Sequence, residues 1–115
     1  MRRLALLAVL AVGCSPWKYT VTNEPSGPGP SGQTYKQAVK VMCDVDHLAA
    51  LEADEPDELA DPKRFTYLDQ AVDNPDGIYL RTLLSVKFGE DRACLLRDAQ
   101  HEVGLEACAL ADRSQ

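Results

Sequence analysis

Apolar residues follow two regimes along this 115-residue chain. Near the start they form one unbroken run, Leu4 to Val12; from residue 34 onward they recur at helical spacing. Thr34 followed three residues later by Gln37 is a capping box, which predicts a helix beginning there. Tyr35, Ala38, Met42, Val45 and Ala49, flanked by Val41 and Leu48, form its apolar stripe and carry it to about Leu51. The acidic stretch Glu52 to Asp61, interrupted by Pro56, reads as a loop. Asp61-Pro62 then reads as an N-cap with proline at the first helical position. Phe65, Leu68 and Val72 make the stripe of a second helix. Asn74-Pro75-Asp76-Gly77 ends it and starts a third, with Ile78, Tyr79, Leu80, Leu83, Leu84 and Val86, closed by Gly89. A fourth runs from Glu90 with acidic residues in its first turn, as the helix dipole prefers. Leu95, Leu96, Ala99 and Val103 face inward, and Gly104-Leu105 forms a Schellman end. No segment sustains period-two alternation, so no sheet is expected. The fold class is all-α: a small antiparallel bundle of about four helices with short connections.

The run at the start has a different meaning. Arg2 and Arg3 form a positive n-region, Leu4–Leu10 an apolar h-region, and Ala11-Val12-Gly13 a small-residue cleavage site that ends at Cys14. A membrane span needs about 20 apolar residues, and this run is roughly half that. The ordered pattern resembles a bacterial lipoprotein signal. The resemblance implies that residues 1–13 are removed and that Cys14 is lipidated as the first mature residue. More than one acyl chain is needed for stable anchoring, and such a cysteine carries two or three. Ser15 after the cysteine resembles the outer-membrane sorting class, so the implied address is the cell envelope, on the periplasmic face of the outer membrane. The spacing of Cys43, Gly104-Leu105 and Cys108 also resembles small lipoproteins of Gram-negative bacteria, which implies no activity.

Between the two regimes lies a stretch with little to bury. Residues 14–33 include Glu24-Pro25-Ser26-Gly27-Pro28-Gly29-Pro30-Ser31-Gly32, and such a composition predicts a disordered linker. About 20 residues span roughly 25 Å root-mean-square as a flexible chain. Trp17 and Tyr19 follow the lipid site, where an aromatic either rests at headgroup level or stays solvated. Residues 34–115 make the helical domain, a folding unit of about 80 residues whose core alone is only modestly stabilising.

Charge narrows the partners. Losing Arg2 and Arg3 leaves 10 basic against 18 acidic residues, a formal net charge of −8. Nucleic acid demands a basic footprint and is excluded as a partner. An anionic membrane surface likewise repels the domain itself. The expected partners are the membrane, through the lipid, and another envelope protein.

Three cysteines remain after Cys14, in a compartment where disulfides persist. Cys43 flanks the stripe of the first helix, and Cys108 lies past the Gly104 stop. The expected pair is Cys43–Cys108, with Cys94 left as a free thiol; Cys94–Cys108 is the alternative. Metal ligation would draw on Cys43, His47, Cys94, His101 and Cys108, but no CxxC, HExxH or CxxCH occurs. A thiol oxidoreductase would want Cys-X-X-Cys, and Ser85 and Ser114 lack a nucleophile motif. The acidic stretch lacks the calcium-loop pattern. No catalytic residue, metal or cofactor is therefore expected. The favoured function is a non-enzymatic, membrane-tethered module that is structural or binds another protein. The rival is a metal-binding or enzymatic domain using His47, His101 and nearby carboxylates.

Overall fold

Six helices, five of them packed around the first, make up a computed structural model that describes residues 27–115. They are α1 (Tyr35–Cys43), α2 (Val45–Leu48), α3 (Asp57–Ala71), α4 (Pro75–Ser85), α5 (Gly89–Val103) and α6 (Ala109–Ser114). No strand occurs among the described residues. No helix among them is long and apolar enough to cross a membrane. Cys14 and the signal-like run lie outside the described residues.

The Thr34–Gln37 capping box forms as expected: the Thr34 hydroxyl accepts from Gln37 N at 3.1 Å, and Gln37 Oε1 accepts from Thr34 N at 2.8 Å. Ala38, Val39, Met42 and Cys43 of α1 are all buried, because this helix packs against every other one. Around it lie Leu68 and Val72, Leu80 and Leu84, Leu96 and Ala99, and Leu110 and Ala111. The α1–α4 crossing is close enough to require glycine. A Cβ on Gly77 would sit 2.6 Å from the Ala38 Cβ.

Local boundaries differ from the sequence pattern in four places. The first helix breaks at Asp44, where φ is −100° and ψ is 10°. Lys40 Nζ donates to Asp44, and Arg64 donates to Asp46. These side-chain bonds hold four residues as a separate short helix, α2. Two residues past its end comes Ala50, whose φ of +57° is rare for a residue with a Cβ. The third helix starts at Asp57, four residues before the expected Asp61 cap. Pro56 supplies extended backbone there, and Asp57 and Glu58 sit in the first turn, where the dipole favours them. Pro62 therefore lies inside α3, on its exposed side. Gly89 opens α5 with φ +56° instead of closing α4. Finally α6 is an additional helix, docked beyond the Gly104 stop. The stop itself forms as expected: Gly104 has φ +78°, Leu105 N donates to Gln100 O, and Gly104 N donates to His101 O.

The end of the expected linker belongs to the domain. Gln33 Nε2 donates to Ala71 O at 2.8 Å, and its Oε1 accepts from Asp73 N and Asn74 N. Asn74 caps α4 by accepting from Gly77 N at 2.9 Å. Its Nδ2 donates to Gly27 O and Gln33 O. A tight turn at residues 29–32 is closed by Gly32 N donating to Gly29 O. Gly29 itself presses on Asp73 so closely that a Cβ there could not be accommodated. Residues 27–33 are thus clamped onto the α3–α4 corner, because one asparagine and one glutamine satisfy the backbone groups on both sides.

Candidate functional site

Three arginines and three aspartates meet where α2, α3, α5 and α6 converge. Arg64 lies on the inward side of α3, between Ala60 and Leu68 at four-residue steps, and its side chain is 1 % exposed. A buried guanidinium has to be paired on every side. Its Nε and Nη2 donate to the two oxygens of Asp46, at 2.6 and 3.0 Å. Its Nη1 donates to Asp61 at 2.6 Å and to Asp57 at 3.1 Å. Asp61 is shared: Arg92 of α5 forks onto both its oxygens at 2.8 and 3.0 Å. Arg92 also donates to the Leu84 and Lys87 carbonyls at the exposed end of α4. Its guanidinium lies between two rings, 5.4 Å from the Phe65 centroid and 5.3 Å from that of Phe88. Arg113 of α6 donates to Asp46 at 3.0 Å and to the Glu55 carbonyl.

The electrostatics follow from that geometry. Burial pushes the Asp46 carboxyl up, but the hydrogen bonds and charges of Arg64 and Arg113 outweigh it, and the group sits below its ordinary value. Asp61 behaves in the same way. Burial opposes ionisation, while Arg92 and then Arg64 carry it below the usual range. Burial alone would lower Arg64, but its bonds to Asp46 and Asp61 raise it. Both carboxylates are ionised at neutral pH and Arg64 is charged. A general acid or base needs a value near the working pH; these groups are tuned away from it. The cluster fastens four helices together.

The residues singled out by sequence are placed as follows. Cys43 and Cys108 are joined in a disulfide with a Cα–Cα distance of 4.6 Å, and both are buried. The expectation of a free thiol at Cys94 does not hold. Cys94 is itself disulfide-bonded. His47 on α2 and His101 near the end of α5 are both exposed. Among the described residues no group of three His, Cys, Asp or Glu side chains is arranged to hold a metal ion. Cys43, four residues from His47, offers a disulfide sulfur and no thiolate.

Arg64, Arg92 and Arg113 were not picked out from the sequence. The usable signal was Arg64, a cation centred on an apolar stripe with Asp61 three residues before it.

The surface holds two further features. An open groove runs along α1, lined by Gln37, Val41, Asp44 and Leu48; Leu48 continues into a second, lined by Pro62, Thr66 and Tyr67. At the α4–α5 corner Val86 and Phe88 are each 63 % exposed, and Leu83 leads up to them one turn earlier on α4. Compared with family models, curated proteins and solved structures, this chain matches none.

Proposed function

We propose that this chain is a non-enzymatic helical module of the cell envelope, tethered through lipid on Cys14 and engaging another envelope protein. The sequence address supports the tether. The observation that carries the reading is the clamp on residues 27–33. Gln33 and Asn74 fix the point at which the N-terminal segment leaves the domain, so the domain is held at a defined corner. Between that corner and Cys14 lie the 12 residues Ser15 to Ser26. The ion cluster supports the non-enzymatic part, since its carboxylates are held ionised and its guanidinium groups are engaged with them. The exposed histidines on separate helices give the metal or enzymatic rival no support.

Membrane fractionation and intact mass test this reading. The membrane-extracted protein should lack residues 1–13 and carry a lipid adduct on Cys14, and Cys14→Ser should release it. A thioether and a disulfide exclude each other on one sulfur, so masses taken before and after reduction read both fates. An unlipidated Cys14 held in a disulfide would overturn the anchor, as would a Cys14→Ser form that stays equally membrane-bound.

A further inference from the structure

We infer that the joined grooves along α1, α2 and α3 hold an acidic, amphipathic peptide segment of another protein. Its carboxylates lie on Lys36, Lys40 and Lys63, and an apolar side chain lies on Leu48. The inference rests on the protein-engaging reading above and names the chemistry of that partner.

Cations are scarce on this surface, and they are gathered in one place. Residues 27–115 hold 17 acidic residues against nine lysines and arginines. Arg64, Arg92 and Arg113 are engaged in the ion cluster. Arg81 and Arg97 are mostly covered and each is paired with an aspartate. Among the described residues, the exposed members of the nine are Lys36, Lys40 and Lys63. Lys40 lines the first groove and Lys63 the second, with side chains 65 % and 59 % exposed. Lys36 stands one turn before Lys40 on α1. Most of the domain therefore repels an acidic chain, while this one side attracts and orients it.

Between the lysines the grooves are apolar. Val41 and Tyr67 rest against the core and show their remaining surface here. Leu48 is 42 % exposed and belongs to both grooves, so a ligand that reaches Lys40 and Lys63 together must cross it. Ala49, Ala50 and Pro62 extend the same lining. Both grooves are open troughs, which suits a length of chain with alternating anchors better than a small molecule, whose sites enclose most of its surface. The existing ion pairs leave room for it. Lys40 donates to Asp44 at 3.0 Å and Lys63 to Glu55 at 2.5 Å. Each ammonium has three donors, so it keeps its present partner while taking a second carboxylate.

The test titrates the full chain, labelled with nitrogen-15, with a short blocked peptide of alternating glutamate and leucine. Saturable amide shifts should appear at Val41, Leu48 and Tyr67. Lys40→Glu and Lys63→Glu should each weaken binding severalfold, as should added salt, and Leu48→Asp should do the same with far-UV helicity unchanged. Lys87→Glu, at the end of α4, should leave it unchanged. A serine–leucine peptide of the same length should bind severalfold more weakly. No saturable shift at millimolar peptide would overturn the inference, as would equal binding of the serine peptide or indifference to both charge reversals. Binding of the lipid-free Cys14→Ser chain to phosphatidylglycerol vesicles through the same lysines, without peptide binding, would assign the face to the membrane instead. Self-association abolished by Lys63→Glu would assign it to a second copy. Peptide binding by a chain that carries no lipid would leave this inference standing and remove the tether; a lipidated chain with an inert groove would do the reverse.

Discussion

Replacing Arg64 by methionine tests whether the ion cluster holds the bundle together. Methionine keeps most of the volume and removes the charge, so packing loss is small. Three charge-assisted bonds to Asp46 and Asp61 disappear, together with a fourth to Asp57. Asp57 is 58 % exposed, and its contribution is screened by solvent. The other two carboxylates are 23 % and 19 % exposed and feel the loss. Breaking a buried pair by removing one partner costs about 3–5 kcal/mol. Asp46 keeps Arg113 and Asp61 keeps Arg92, so the low end applies, about 3 kcal/mol. In a domain of this size that corresponds to a fall in melting temperature of roughly 12–24 °C.

The pH dependence identifies the cause. Asp46 and Asp61 have folded values below their unfolded ones, so their contribution is complete above the unfolded value, about 3.9. It is lost as pH falls through the depressed folded values. The difference between parent and Arg64→Met, measured by urea unfolding with disulfides intact, should be full at neutral pH and shrink progressively as pH falls below about 3.9. A difference below about 1 kcal/mol at neutral pH, or one that does not shrink on acidification, would refute the assignment.

Three further outcomes are expected. Cys43→Ala and Cys108→Ala should each cost about 4 kcal/mol for a loop of 65 residues, and the double variant should be little worse than either, as calorimetry would show. Asn74→Ala removes the α4 cap and two bonds to residues 27 and 33; it should cost about 1–2 kcal/mol and abolish amide-exchange protection at Gly29 and Gly32. Ala50→Gly relieves a left-handed backbone and should raise stability by up to about 1 kcal/mol in the same unfolding assay.

The parts of the fold legible in the sequence are those written in local chemistry. The Thr34 capping box, the Asn74 start and the Gly104-Leu105 stop each depend on residues within one or two turns of one another. The Cys43–Cys108 pair was legible because few other pairings were available. The start of α3 was not. Asp61-Pro62 is a good local cap, but Arg64 and Arg92 compete for the same aspartate from the interior, and the helix extends back to Asp57. Distant partners decided that boundary. The clamp was hidden for a similar reason: Gln33 and Asn74 are unremarkable polar residues until the fold sets them side by side. The arginine cluster escaped notice because amphipathic patterning counts a charge as outward-facing, and Arg64 points inward.

The disulfide also determines how the domain responds to a pull. Cys43 and Cys108 close a covalent ring around α2 to α5, and among the described residues two short arms project from it, residues 27–42 and 109–115. Load applied between residue 27 and the C-terminus travels along residues 27–43, crosses the sulfur bridge and leaves through residues 108–115. At full stretch those 25 residues extend roughly 85 Å, against roughly 300 Å for the 89 described residues after reduction. The ring and the helices within it carry no tension. Pulled between those two points, the chain would yield by peeling α1 and the tail, then stop abruptly, with α3, α4 and α5 kept inside the closed ring.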